Sequence, residues 1–207
     1  EESLTKWRLD DIYQTDKAFE DDIALTSKMI DALSNYKGKL DTIDDVVAYY
    51  EDADDIATHV WKINAYASLP SSLDQTSSAA KERMAQASNL FYAFNEAKAF
   101  ANPELFSKEE AFLDSIEADP RMAASGHLTQ FNRDRKLKEH TLSESEELLL
   151  SSMYKMTDGA LDLYNSNTLG DMVFPEVTFP DGQVLPANSV ALQKARSSEY
   201  DQSFRKE

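Results

Sequence analysis

The scarcity of helix-breaking residues is the feature that most constrains how this chain can fold. Its 207 residues include only 5 Gly and 6 Pro, whereas Gly alone makes up about 7% of an average protein. Ala, Leu, Glu, Lys and Asp are frequent instead. Because Gly and Pro are the residues that most often end a helix, this composition predicts long α-helices.

Three helices are predicted in the first 100 residues, each with a polar cap, an apolar face at helical spacing and a breaker after it. Their predicted extents are Thr15 or Asp16 to Tyr36, with Gly38 as the stop; Thr42 to Pro70; and about Thr76 to Phe100, closed by Asn102-Pro103. The predicted faces comprise Phe19, Ile23, Ile30 and Leu33; Val46, Tyr50, Ala53, Ala57, Val60, Asn64 and Ala67; and Ala80, Met84, Ala87, Phe91 and Phe94.

Shorter helices are predicted in the next 60 residues. Ser107-x-x-Glu110 and Ser143-x-x-Glu146 are capping-box signals, and Pro120 suits the first turn of a helix between them. The apolar stripes of the last two helices include Leu128 and Phe131, with Arg135 beside them, and Leu148, Leu149, Met153 and Met156. Because the connections are short, successive helices are expected to pack antiparallel.

A different pattern follows at residues 172–189, which read MVFPEVTFPDGQVLPANS. β-Branched and aromatic residues flank a central Pro-Asp-Gly. This combination predicts a β-hairpin, with Val177 and Phe179 on one arm and Val184 on the other.

The predicted fold class is therefore mainly α. An antiparallel, bundle-like helical lobe is expected over residues 1–169, and the β-hairpin and the start of a further helix over residues 170–207. Ser198-x-x-Asp201 has the form of a helix start, and Phe204 begins an apolar stripe. No Gly, Asn or Pro follows to end that helix, so we expect Glu207 to interrupt a helix that continues in a longer protein.

Charge and composition exclude several classes of function. Asp and Glu outnumber Lys and Arg by 38 to 21, which gives a formal net charge of -17. Such a surface repels phosphate backbones and anionic lipids, so neither nucleic acid nor a membrane surface is expected as a partner. The chain has no Cys, hence no disulfide, thiolate metal site or Cys nucleophile. A polar start and the lack of an apolar run of about 20 residues favour a cytoplasmic location.

Few residues suggest a metal site. Asp55 and His59 are spaced i,i+4 on a predicted helix and could bind a metal, although a surface ion pair or a partly buried His explains the spacing as well. His127 is predicted on a helix surface, and His140 just before a helix start. Neither belongs to an H-E-x-x-H motif, in which two His one turn apart bind zinc and the Glu activates water.

The remaining polar and aromatic clusters are predicted to be structural. No EF-hand, P-loop, G-x-G-x-x-G or G-x-S-x-G motif occurs. Carboxylate runs are expected on solvated helix faces and in first turns, Asp-Gly pairs in turns, and the aromatics of the third helix in the core. These sets are Glu20-Asp21-Asp22, Asp44-Asp45 and Asp54-Asp55; Asp158-Gly159 and Asp181-Gly182; and Phe91, Tyr92, Phe94 and Phe100.

Several phrases, taken in order, resemble the oligoendopeptidase F group of zinc metallopeptidases (the M3 family). They are WRLDDIY (7–13), which resembles W-x-L-x-D-[LI]-Y; YKGKL (36–40), which resembles Y-x-G-K-L; YAS (66–68); HTLSESEE (140–147), which resembles H-x-L-S-x-x-E-E; the hairpin (172–186); and DQSFRKE (201–207), which resembles D-R-x-[VL]-R-x-x-[AF]. Gln202 departs from the usual Arg of the last phrase. Together these matches span nearly the whole chain.

The resemblance implies a zinc-dependent peptidase that cleaves short peptides inside a helical, bowl-like molecule. In that family the H-E-x-x-H helix and a more distant Glu ligand follow the region that matches here. Members therefore carry their zinc, and its polarising effect on the scissile carbonyl, outside this region. No position of this chain matches a catalytic residue or a zinc ligand. The expected role is a cleft wall that excludes folded proteins, contacts the rest of the catalytic domain and is inactive alone.

A second function class fits the composition equally well. The chain could be a stand-alone helical binding or scaffold protein with no catalytic activity. In that case its helical faces should be buried internally, whereas a part of a larger enzyme should expose an apolar patch around Phe204 and the hairpin. An enzyme complete within these residues has no candidate catalytic group to support it.

Overall fold

The computed structural model, which describes residues 8–73 and 77–197, is mainly α-helical, as the sequence predicts. The helices of these ranges are α1 (Asp16–Leu33), α2 (Ile43–Leu73), α3 (Ser78–Lys98), α4 (Ala101–Phe106), α5 (Glu110–Ala118), α6 (Pro120–Ala124), α7 (His127–Lys136), α8 (Glu144–Asn165) and α9 (Ser189–Ser197). The strands are β1 (Glu176–Thr178) and β2 (Val184–Pro186). Short 3-10 turns cover Leu9–Asp11, Ser34–Tyr36 and Lys138–His140, and a π-helical turn covers Ser166–Asp171.

The polar caps predicted for the long helices are formed. The Thr15 hydroxyl accepts a hydrogen bond from the N–H of Ala18 at 3.1 Å, and Ser77 caps α3 in the same way. Gly38 follows the 3-10 turn after α1 with a φ of 74°. This left-handed backbone is strained for any residue with a Cβ, which explains why Gly ends the segment.

Helix α2 does not end at Pro70, so that predicted boundary is wrong. The helix continues to Leu73 with Pro70 inside it. Proline removes one N–H donor and crowds the preceding turn. Within the described residues only three residues of the helix follow Pro70, so a bend there displaces little of α2.

Two other boundaries also differ from the prediction. The helix predicted to start at Pro120 is two helices, α6 and α7, separated at Gly126, whose φ is 83°. The Ser107 capping box does not form: α5 has Glu109 as its N-cap without a side-chain hydrogen bond, and the Ser107 hydroxyl donates to the Glu104 carbonyl instead. The pair Asp158-Gly159 lies within α8 rather than in a turn.

Contacts divide the chain into two compact units, Glu1–Asp162 and Leu163–Glu207. In the first unit α1, α2 and α3 pack against one another, and α5, α6 and α7 form a second group of packed helices. One apolar core runs through both groups. Its largest fully buried side chains are Phe19, Phe131, Leu33, Leu40, Ile56, Ile63, Leu105, Leu113, Ile116, Met122 and Val46.

The second unit contains the predicted hairpin. β1 and β2 pair antiparallel with Val177 opposite Leu185, and Gly182 takes a φ of 81° in the connecting turn. Phe179 is buried, and the Lys194 ammonium lies 4.5 Å from the centre of its ring.

The predicted helix start at Ser198 and the predicted stripe at Phe204 lie outside the described residues. The assignment of residues 1–169 to a helical lobe and 170–207 to the start of a catalytic domain stays a prediction. Within the described ranges, no helix combines the length and the hydropathy needed to cross a bilayer.

Candidate functional site

A cleft in the first unit is the main candidate for a binding site. It has a volume of about 620 Å³ and is bordered by residues of α2, α3, α7 and α8. Side chains lining it include Tyr49, Tyr50, Asp54, Phe94, Asn95, Lys98, His127, Gln130, Arg133, Asp134, Glu147 and Ser151. The wall therefore combines aromatic rings with charges of both signs.

Two tyrosines of α2 form the aromatic wall of the cleft. Both are buried, and burial raises the pKa of Tyr49 and of Tyr50, with a smaller contribution from the negative charge of Asp134. Their hydroxyls therefore stay protonated at neutral pH. The ring of His127 stacks on Tyr50 with 5.8 Å between the ring centres. His127 is thus half-buried at the start of α7, where it lines the cleft.

The charged groups of the cleft lie on α3 and α7. The Lys98 ammonium is 4.7 Å from the centre of the Phe94 ring. Partial loss of hydration lowers the pKa of Lys98, and the negative charge of Asp134 opposes that shift. Asp134 accepts a hydrogen bond from the Gln130 amide at 2.5 Å and lies 3.6 Å from Arg133. Such a wall suits a ligand that carries both a carboxylate and an amine or amide.

A buried carboxylate forms a second polar cluster between α1 and α2. Asp22 is 9% exposed. It accepts a short hydrogen bond from the Tyr13 hydroxyl, lies 2.5 Å from Nδ1 of His59 and lies 3.8 Å from the Lys62 ammonium. The Lys62 ammonium also sits 4.3 Å from the centre of the Tyr13 ring. Burial, and then the hydrogen bond to Asp22, raises the pKa of Tyr13.

His59 is partly buried, which confirms one of the explanations that the sequence analysis gave for its spacing from Asp55. It pairs with Asp22, whereas Asp55 is exposed on α2. The run Glu20-Asp21-Asp22 is not wholly solvated, because Asp22 faces the core. The signal was present in the sequence: Asp22 lies three residues after Phe19 and four before Thr26, and both of these are buried. Helical spacing places the three on one face.

The described residues do not fit a zinc site. They contain no group of three or more His, Asp or Glu side chains close enough to share one ion. Asp22 and His59 supply two such groups, but the neighbouring Lys62 cation opposes metal binding there. His140 lies in the 3-10 turn before α8. The prediction that this chain supplies no catalytic or metal residue stays a prediction.

Comparisons of sequence identify related proteins. A sequence model of the family described as Oligopeptidase F matches residues 104–174. Oligopeptidase PepF of Bacillus subtilis is 28% identical over 179 residues, 85% of this chain and 26% of that protein. Group B oligopeptidase PepB of Streptococcus agalactiae is 26% identical over 211 residues, 100% of this chain and 34% of that protein. The chain thus spans about a quarter to a third of these relatives.

Solved structures share the fold. Oligoendopeptidase-F from Enterococcus faecium superimposes with a TM-score of 0.75 at 21% identity, over 92% of this chain and 36% of that one. A putative peptidase from Chlamydophila abortus gives a TM-score of 0.60 at 20% identity, over 90% of this chain and 32% of that one. The resemblance predicted from the ordered phrases is confirmed. The chain is similar to the oligoendopeptidase F peptidases, and its partial coverage of them fits an N-terminal portion.

Proposed function

We propose that this chain is the N-terminal, cleft-forming part of a zinc-dependent metalloendopeptidase that hydrolyses short oligopeptides. One observation carries the proposal. The chain aligns over 85% and 100% of its own length with two oligopeptidases, yet it covers only 26% and 34% of theirs. Most of an oligopeptidase of that size therefore has no counterpart in these 207 residues.

In this proposal the chain contributes shape and substrate contacts but not bond cleavage. Its partners are short peptides and the rest of the catalytic domain, in a cytoplasmic enzyme. The proposal assigns the zinc ion and its chemistry to residues outside this chain. The mixed charges and aromatic rings of the cleft are compatible with peptides, which carry amides and two charged ends.

The test compares this chain with the product of the gene that encodes it, expressed to its stop codon. Both are purified, their zinc content is measured, and each is incubated with a mixture of quenched fluorescent peptides. We expect stoichiometric zinc and chelator-sensitive cleavage for the complete product, and neither for the 207-residue chain. Zinc-dependent cleavage by the chain alone would refute its assignment as a non-catalytic part. A complete product that binds partners but cleaves nothing would support the stand-alone scaffold alternative instead.

A further inference from the structure

Helix α8 presents its apolar face to solvent. Leu149, Met153 and Met156 follow the spacing i, i+4, i+7 and are 61%, 46% and 76% exposed. Ala160, four residues further, is exposed on the same side. Leu148, Leu150 and Leu161 beside them are also exposed. We call the first four residues the α8 face.

In its first two turns, the side of α8 that is directed towards the protein carries polar residues. Glu147 and Ser151, one turn apart, line the cleft described above. At the start of the helix the Glu144 carboxylate pairs with the Lys37 ammonium. An amphipathic helix on the surface of a globular protein normally has the reverse orientation, with its apolar stripe against the core. Contiguous exposed apolar residues of this kind mark an interaction surface.

We propose that the α8 face is an interface covered by the remainder of the peptidase polypeptide, which lies outside this chain. This inference rests on the proposed function. The relatives supply the occupant, because this chain covers only 26% and 34% of their length. The matched family region, residues 104–174, includes all of α8.

A second copy of the chain is a poorer occupant on electrostatic grounds. Each copy has a formal net charge of -17, and bringing two such surfaces together costs repulsion over the whole contact. The α8 face itself is uncharged, so a less acidic apolar surface can cover it without that penalty. Two of its four side chains are Met, whose flexible thioether adapts to an irregular partner surface.

Methionine oxidation measures whether the face is covered. The 207-residue chain and the product of the complete gene are treated with dilute hydrogen peroxide, and sulfoxide formation at each Met is followed by mass spectrometry. Exposure governs the rate, so in the complete product Met153 and Met156 should oxidise at least about tenfold more slowly than in the chain. Met122, which is 0% exposed, is the internal reference and should be slow in both. Equal rates at Met153 and Met156 in the two proteins would overturn the proposal.

A charge in the face tests the same inference by function. In the complete product, Met156→Glu should expose α8 to oxidation at Met153 and lower peptide cleavage at least about tenfold, because burying an unpaired carboxylate is unfavourable. Leu25→Glu is the matched control, since Leu25 is 49% exposed on α1 and outside the proposed interface. It should leave both rates unchanged. In the 207-residue chain, Met156→Glu should leave the thermal unfolding temperature unchanged.

The outcomes separate the two proposals. If the wild-type complete product contains no zinc and cleaves no peptide, the proposed function fails whatever the state of α8. If it is active but Met156→Glu behaves like Leu25→Glu, only the interface proposal fails. If light scattering shows that the 207-residue chain dimerises and Met156→Glu abolishes the dimer, a second copy is the occupant, and the proposal is overturned in that form.

Discussion

Helices α1 and α8 have similar amphipathic sequence patterns, but the apolar face is buried in α1 and exposed in α8. In α1 the apolar stripe is covered by α2 and α3, so Phe19, Ile30 and Leu33 are between 1% and 5% exposed. In α8 the stripe is equally regular, yet Leu149 and Met156 are 61% and 76% exposed. Periodicity identifies the face of a helix that needs a partner, but it does not say which molecule or segment supplies the partner.

The two helices therefore depend on different forces. Burial of apolar side chains against other helices stabilises α1. Among the described residues α8 makes few contacts with other helices, so local interactions such as the hydrogen bonds between Ser143 and Glu146 carry more of its stability. Five measurements test this contrast, from the largest expected effect to the smallest.

Leu33→Ala should have the largest effect on the stability of the chain. Leu33 is 1% exposed at the end of α1. Truncation leaves a cavity in a packed core, and we expect a loss of about 3–4 kcal/mol in the free energy of unfolding. Urea titration followed by circular dichroism measures it. A loss below about 1 kcal/mol would mean that the core around α1 relaxes or is loosely packed.

Asp22→Ala should be the next most destabilising change. It removes the acceptor of the Tyr13 hydroxyl and the partner of His59 inside the core. Deleting one partner of a fully buried ion pair lowers the free energy of unfolding by about 3–5 kcal/mol. Because His59 is 26% exposed, we expect a smaller loss of about 2–3 kcal/mol, measured by urea titration.

Asp55→Ala is the matched control for Asp22→Ala. Asp55 is the residue that helical spacing pairs with His59, and it is exposed. Its removal should cost less than about 0.5 kcal/mol. A double-mutant cycle with His59→Ala should show coupling to Asp22 and none to Asp55. Coupling to Asp55 instead would restore the pairing predicted from the sequence.

Ser143→Ala should destabilise the first turn of α8 locally. Glu146 accepts hydrogen bonds from the Ser143 N–H at 2.9 Å and from its hydroxyl at 2.6 Å. The alanine keeps the N–H contact but loses the hydroxyl contact, which is an exposed hydrogen bond worth about 0.5–1 kcal/mol. Amide hydrogen exchange should detect the loss near Glu146 and Glu147. Ser107→Ala is the control, because the capping box predicted there does not form. Equal effects at Ser143 and Ser107 would contradict the view that local hydrogen bonds stabilise the first turn of α8.

Two carboxylates with lowered pKa values, Glu110 at the start of α5 and Glu146 in the first turn of α8, should respond separately to the loss of a partner. Hydrogen bonds from Lys138 and Arg135 lower the pKa of Glu110 from its ordinary 4.5. A carboxylate whose pKa is lower in the folded state stabilises the fold above its unfolded pKa, and this contribution is lost as pH falls through the folded value. Arg135→Gln should raise the pKa of Glu110, measured by NMR titration. The pKa of Glu146, which Ser143 lowers, should not move. A shift of both would show that the two regions are electrostatically linked.

The sequence predicted features that short-range chemistry determines. The cap at Thr15, the left-handed Gly38, the hydrogen bond from the Ser143 N–H to Glu146 and the hairpin all follow from neighbours within a few residues. The wrong boundaries have the same origin. Pro70 lies inside α2, near the last residue described for that helix, although proline usually marks a helix end. Gly126 separates α6 from α7, where the sequence pattern predicts one continuous helix.

The candidate site was less predictable, because it depends on residues far apart in the chain. Asp22 and His59 come from different helices, and the rings of Tyr50 and His127, which stack in the cleft, lie on α2 and α7. Local rules gave His59 a partner one turn away, since they contain no information about which helices are neighbours. The position of Asp22 in the buried stripe of α1 was the one available signal. A charge in an apolar stripe predicts a buried partner but does not identify it.

Leu149→Ala should have the smallest effect and completes the contrast with Leu33→Ala. The chemical change is the same, but Leu149 is 61% exposed, so little packing is lost and Ala slightly favours the helix. We expect the free energy of unfolding of the 207-residue chain to change by less than about 0.5 kcal/mol in urea titration. In the product of the complete gene the same substitution should cost about 2 kcal/mol or more, if the α8 face is covered there. A loss of that size in the chain itself would show that α8 already has its partner, and that α1 and α8 do not differ in the way described.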